Sequence, residues 1–104
     1  MTVVHRRVFY GKVGQADKIV AALKQGDKNF KKFGVKGASR ILTDNNCGRT
    51  DRVIWEMEAP SVAEGEEQMA KVMSSAEGQK VFGAWFARLS ELIHYAEVDN
   101  LLVK

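Results

Sequence analysis

The stretch Arg52-Val53-Ile54-Trp55-Glu56-Met57-Glu58-Ala59-Pro60-Ser61-Val62-Ala63-Glu64 decides the fold class. It opens with strict alternation. Val53, Trp55, Met57 and Ala59 share one side of an extended chain, and Arg52, Ile54, Glu56 and Glu58 share the other. The apolar side packs on helices, while the charged side looks elsewhere. Pro60 then breaks the run. Ser61 and Glu64 have the S-x-x-E spacing of a capping box, which satisfies two orphan backbone donors at a helix start. A half-buried strand therefore runs straight into a capped helix.

The segments around it extend the same pattern. Upstream, Val3 to Tyr10 is rich in β-branched and aromatic residues and predicts a first strand. Its two sides are Val4, Arg6, Val8, Tyr10 and Val3, His5, Arg7, Phe9, so both sides must accommodate polar groups. Gly11 and Gly14 bracket the break that follows. Ala16, Ile19, Val20, Leu23, Gly26, Phe30 and Phe33 then fall on one helical stripe. Asp17 near its start and Lys31 and Lys32 near its end suit the helix dipole. Gly34 is placed to close the helix. Lys36 to Asp44 predicts the second strand and Asp51 to Ala59 the third, with a hairpin loop at Asn45, Asn46 and Gly48.

Downstream of Ser61, the buried stripe is Val62, Gly65, Met69, Val72 and Met73. Ser74 and Glu77 repeat the capping-box spacing and predict that a new helix begins there. Its apolar arc, Val81, Phe82, Trp85, Phe86, Leu89, Leu92 and Ile93, is wide enough for a second partner. Trp55 and Trp85 are assigned to the core and interface, where their large apolar area contributes most. From His94 to Val103 the chain reads as extended, with a bend at Asp99-Asn100. The order is β-α-β-β-α-α-β. Right-handed crossovers make this an α+β, ferredoxin-like antiparallel sheet with helices on one face. The other face is left bare, and two copies can close on each other through it.

The composition agrees with one small domain over residues 1–104. The chain has 104 residues, 45% hydrophobic and 28% charged. A domain of this size hides a small share of its surface, so a second subunit helps it bury apolar faces. A single Cys excludes an intrachain disulfide scaffold or a cysteine zinc site. No stretch reaches the ~20 apolar residues of a membrane helix, and no secretory signal is expected. The expected location is cytoplasmic, with Cys47 a free thiol. Net charge is +3, split unevenly. Residues 1–52 carry 12 basic and 4 acidic side chains, and residues 53–104 carry 4 and 9. So modest a net charge favours complementary faces over a nucleic-acid surface. An RNA-recognition domain shares the skeleton but needs a basic-aromatic third strand. Here Glu56 and Glu58 would repel phosphate. Phosphate-binding glycine loops are absent, and two distant histidines do not make a metal site. No cofactor and no metal are expected.

The segment from Arg52 to Glu64 resembles the third strand and capped helix of the dimeric α+β barrel superfamily. Ser75 to Leu92, with Phe82, Trp85 and Leu89, is similar to the extra helix before that fold's final strand. His5-Arg6-Arg7-Val8-Phe9-Tyr10 followed by Gly14 resembles the first strand of the NIPSNAP-like branch. The resemblance implies a homodimer whose two sheets form a barrel. Members include cofactor-independent monooxygenases of antibiotic biosynthesis, haem-degrading enzymes and lactone isomerases, so membership alone says little about chemistry. The haem-degrading branch uses an Asn on the first strand and a Trp and a His on the helices. Arg6 and Arg7 occupy that strand region here and neither of the later helices carries a His, which disfavours haem degradation.

The candidate site residues are His5, Arg7, Arg40 and Glu56. With Arg52 and Glu58 they form a set that could line a barrel interior and orient a small anionic or aromatic ligand. Arginine supplies fixed donors, glutamate accepts, and histidine moves a proton near neutral pH. The competing reading is an Arg–Glu network that makes two polar sheet faces compatible in a homodimer. His94, at the end of the last helix, is read as capping helix carbonyls. Two function classes follow: a small-molecule-binding barrel with oxygenase- or isomerase-type chemistry, or a non-catalytic homodimeric module. An enclosed pocket with converging polar groups separates them.

Overall fold

The computed structural model describes residues 2–44 and 51–104. Cys47 and the expected hairpin loop at Asn45, Asn46 and Gly48 lie outside the described residues. The elements run β1 (Val3–Gly11), α1 (Ala16–Lys32), β2 (Ser39–Thr43), β3 (Arg52–Ala59), α2 (Val62–Ser74), α3 (Ala76–Leu92) and β4 (Ile93–Leu102). The four strands form an antiparallel sheet in the order β2-β3-β1-β4. This is the expected α+β ferredoxin-like arrangement.

The three helices share one side of the sheet. Phe9, Val53 and Trp55 meet Ile19, Leu23, Phe30, Val72, Phe82, Trp85 and Leu89 in one buried cluster. Phe30 stacks on Phe82 at 4.4 Å, and Trp85 meets Trp55 edge-on at 5.9 Å. Gly26, in the middle of α1, has a packing reason. A Cβ there would lie 2.7 Å from the Trp85 ring. The bare glycine lets that ring approach, and Trp85 Nε1 donates to the Ala22 carbonyl at 2.7 Å. The entropic cost of a mid-helix glycine is offset by that contact.

Among the described residues, no helix covers the other side of the sheet. By register it holds Val4, Arg6, Val8 and Tyr10 of β1, Arg52, Ile54, Glu56 and Glu58 of β3, Arg40 and Leu42 of β2, and Tyr95, Glu97, Asp99 and Leu101 of β4. Leu42, Tyr95 and Leu101 are exposed there. Tyr10 and Tyr95, directly opposite in register, stack at 4.5 Å.

Several boundaries differ from the sequence reading. The second strand starts at Ser39 instead of Lys36, because Gly37 takes a φ of 123° and its Cα abuts the Glu58 carbonyl, where no side chain fits. The third helix is capped by Ser75 and not by Ser74. α2 continues through Ser74, so the first extended residue is Ser75, whose hydroxyl accepts from Gly78 N at 2.9 Å. Ser74 Oγ instead donates to the Lys71 carbonyl at 2.8 Å. The first capping box is half formed: Ser61 Oγ accepts from Glu64 N at 3.1 Å, but the return bond from Ser61 N to the Glu64 carboxylate is absent among the described residues. Asp99-Asn100 does not bend the chain. Both residues stay in the β1–β4 ladder, opposite Arg6 and His5. Ile93 is the extended cap residue that ends α3 and opens β4, and His94 is exposed on that strand with no hydrogen bond to a helix carbonyl among the described residues. The carbonyl of Leu92 accepts from Lys12 N at 2.9 Å.

Candidate functional site

A cavity of about 430 Å³ lies between the sheet and the helices. That is within the range of small-molecule sites. The sheet contributes Val3, His5, Arg7, Trp55 and Met57 to its lining, and the helices contribute Phe30, Met69, Phe82, Trp85 and Phe86. Val62, Met73 and Phe86 are exposed apolar residues in that lining. The walls are thus mainly hydrophobic and aromatic, with a few polar groups from the strands.

His5 and Arg7 reach the cavity because alternation along β1 puts both on the helix-facing side, about 7 Å apart along the strand. His5 pairs in register with Met57 and Asn100, and Arg7 with Trp55 and Val98. His5 Nδ1 lies 2.9 Å from Asn100 Oδ1. With the amide oxygen as acceptor, Nδ1 carries the ring proton and Nε2 is the basic nitrogen. Nε2 has no hydrogen-bond partner among the described residues. Asn100 also lines the cavity, so the pair stands at its wall.

Arg7 is half-buried and makes no hydrogen bond or ion pair among the described residues. Burial lowers its pKa from the ordinary arginine value, because desolvation disfavours the charged form. Arginine nonetheless keeps its proton in a protein at neutral pH. Trp55 is only 2% exposed, and its Nε1 is buried with no acceptor among the described residues.

Arg40 and Glu56 belong to the opposite side of the sheet. They face each other in register, and Arg40 Nε donates to Glu56 Oε1 at 2.6 Å. Arg6 binds Asp99 there at 2.9 Å. Arg52 binds Asp44 through two bonds of 2.9 Å, and that hydrogen bonding, with the attraction of the carboxylate, raises the Arg52 pKa. Glu58 alternates onto the same side as Arg52 and Glu56. The six residues expected to line one interior are therefore divided by the sheet. His5 and Arg7 come together at the cavity; Arg40, Arg52 and Glu56 stand behind it, and Glu58, on their side by alternation, still contributes to the lining. Alternation within each strand was readable, but the register that matches one strand's sides to another's was not. Asn100 escaped sequence reasoning because Asp-Asn is turn-like in composition, and only the long-range pairing of β1 with β4 brings it to His5. No cluster of three potential metal ligands occurs among the described residues.

Solved structures with the same architecture share little sequence. A NIPSNAP family protein from Agrobacterium tumefaciens superposes with a TM-score of 0.74 at 19% identity, over 99% of this chain and 86% of that one. The chain carries the NIPSNAP-type fold. An uncharacterised NIPSNAP domain protein from Burkholderia xenovorans gives 0.77 at 13% identity, covering 98% and 94% of the two chains. An antibiotic-biosynthesis-monooxygenase-like protein from Bordetella bronchiseptica gives 0.73 at 12%, covering 99% and 97%. No family model matches the sequence. No curated protein matches it either. At these identities the likeness is one of fold, and the chemistry has to be argued from the site.

Proposed function

We propose that this protein binds a small organic molecule in the cavity between its sheet and helices, and that His5 exchanges a proton with it. That is the chemistry of a cofactor-independent oxygenase or isomerase. The observation that carries the reading is the His5–Asn100 hydrogen bond at the wall of an apolar cavity. It orients a ring whose second nitrogen is free to accept a proton. Arg7 orients the molecule beside it. The name of the Bordetella protein, which points to oxygenases, supports the same class.

The protein acts as a homodimer in this proposal. Leu42, Tyr95 and Leu101 on the bare side, with half-buried Val4 and Ile54, give a second copy an apolar surface to cover. Arg40 and Glu56 then serve that face and take no part in proton transfer. Their pairing also supports the second reading, a non-catalytic homodimeric module, because Arg40–Glu56 and Arg6–Asp99 neutralise each other without any ligand.

Ligand-detected NMR across a panel of small aromatic molecules tests the main reading. It is expected to find binders that are lost in Met57→Trp, which fills the cavity from the sheet side. Binders that survive this substitution would contradict the cavity as the site. Sedimentation at micromolar concentration is expected to show a dimer, and a persistent monomer would remove the shared face.

A further inference from the structure

We propose that the cavity's ligand is an aromatic carboxylic acid whose carboxylate is held by Arg7. This deepens the reading above and rests on it. Arg6, Arg40 and Arg52 each bind a carboxylate of this chain, and all three lie on the bare side. Arg7 lies on the cavity side, and its cross-strand neighbours are Trp55 and Val98, neither of which can accept from it. A half-buried guanidinium without an anion carries an uncompensated desolvation cost. Hydrophobic residues would fill the same wall without that cost.

Of the carboxylates in the cavity lining, Asp27 is engaged elsewhere and Glu58 and Glu66 are exposed to solvent. Asp27 takes Lys31 Nζ at 3.0 Å and accepts from Ser39 Oγ at 2.7 Å. Glu58 alternates to the bare side, and Glu66 is exposed on α2. A second donor adds an independent observation. Trp55 Nε1, on the residue paired with Arg7, is buried without an acceptor, whereas Trp85 Nε1 is satisfied by Ala22. This part of the wall holds donors and lacks acceptors, so the acceptors must come with the ligand. A carboxylate matches the planar fork of arginine with two parallel hydrogen bonds. The rings of Phe30, Trp55, Phe82, Trp85 and Phe86 suit an aromatic body attached to it.

The experiment compares 2-naphthoate with 2-naphthamide on the full chain, by calorimetry with amide chemical-shift mapping. The two probes share size and shape and differ in charge. Naphthoate is expected to bind at least about tenfold more tightly, as a charge-assisted pair requires. Arg7→Leu is expected to abolish that preference, weakening naphthoate by at least about tenfold and naphthamide much less. Arg7→Lys, which keeps the charge but loses the fork, is expected to restore only part of it. Equal affinities in the unmodified protein, or a preference that persists in Arg7→Leu, would overturn the carboxylate assignment and leave the cavity reading standing. Failure of both probes to shift cavity residues would overturn the cavity reading itself. If Arg7→Leu does not fold, Arg7→Gln makes the same comparison.

Discussion

The two sides of this sheet treat charge in opposite ways. On the bare side each arginine has its own carboxylate, at distances between 2.6 and 2.9 Å. Among the described residues of the helix side, Arg7 has none, and Trp55 keeps a buried donor without an acceptor. The bare side pairs its arginines with its own carboxylates and is apolar in between, as suits contact with another protein surface, although Arg6 Nε is buried there without a partner among the described residues. The cavity side is chemically unfinished, as suits a ligand. One strand, β1, feeds both: its odd positions supply the cavity and its even positions supply the bare side.

The comparison predicts a hierarchy of effects. The largest belongs to the packed part of the helix side. Phe82 is fully buried and touches Phe30, Phe33 and Trp85. Phe82→Ala is expected to cost about 3–5 kcal/mol in denaturant unfolding. Leu42→Ala on the bare side is expected to cost less than about 1 kcal/mol in the isolated chain, acting instead on dimer dissociation. Equal losses would break the distinction.

The two tryptophans sharpen it. Both lose ring volume on replacement by Phe, but only Trp85 loses a hydrogen bond. Trp85→Phe is expected to be about 1 kcal/mol more destabilising than Trp55→Phe. The reverse order would mean that Trp55 Nε1 has an acceptor in solution.

Arg7→Leu is expected to raise the melting temperature, by about 2–4 °C, corresponding to a fraction of 1 kcal/mol at this chain length. The sign follows from its lowered pKa. The folded chain holds that proton less tightly than the unfolded chain, so the charged guanidinium opposes folding at every pH below its folded-state pKa. The penalty fades only as strong alkali removes the proton, and the gain in Arg7→Leu is therefore flat over about pH 5–9. A melting temperature that falls instead would mean that Arg7 serves structure.

The smallest effect belongs to the paired charges. Arg40 is largely exposed, and Arg40→Ala is expected to change stability by no more than about 1 kcal/mol, less at high salt.

Much of the fold was legible because its signals are local. The alternation of Val53, Trp55 and Met57, the capping box at Ser61 and the stripe of Ile19, Leu23 and Phe30 each need only a few neighbouring residues. The site was legible only in part. His5 and Arg7 share a side by alternation alone, and the cavity holds both. Their separation from Arg40 and Glu56 depends on the match of Arg40 to Glu56 and of Arg7 to Trp55. Such matches join segments far apart in the chain. Asn100 is the same case, since its side-chain chemistry favours turns and its role comes from a partner 95 residues away.

Amide chemical-shift mapping with 2-naphthoate tests the division of the sheet most directly. Perturbations are expected to centre on His5, Arg7, Trp55, Met57 and Asn100. Perturbations centred on Leu42, Ile54, Tyr95 and Leu101 would contradict that division.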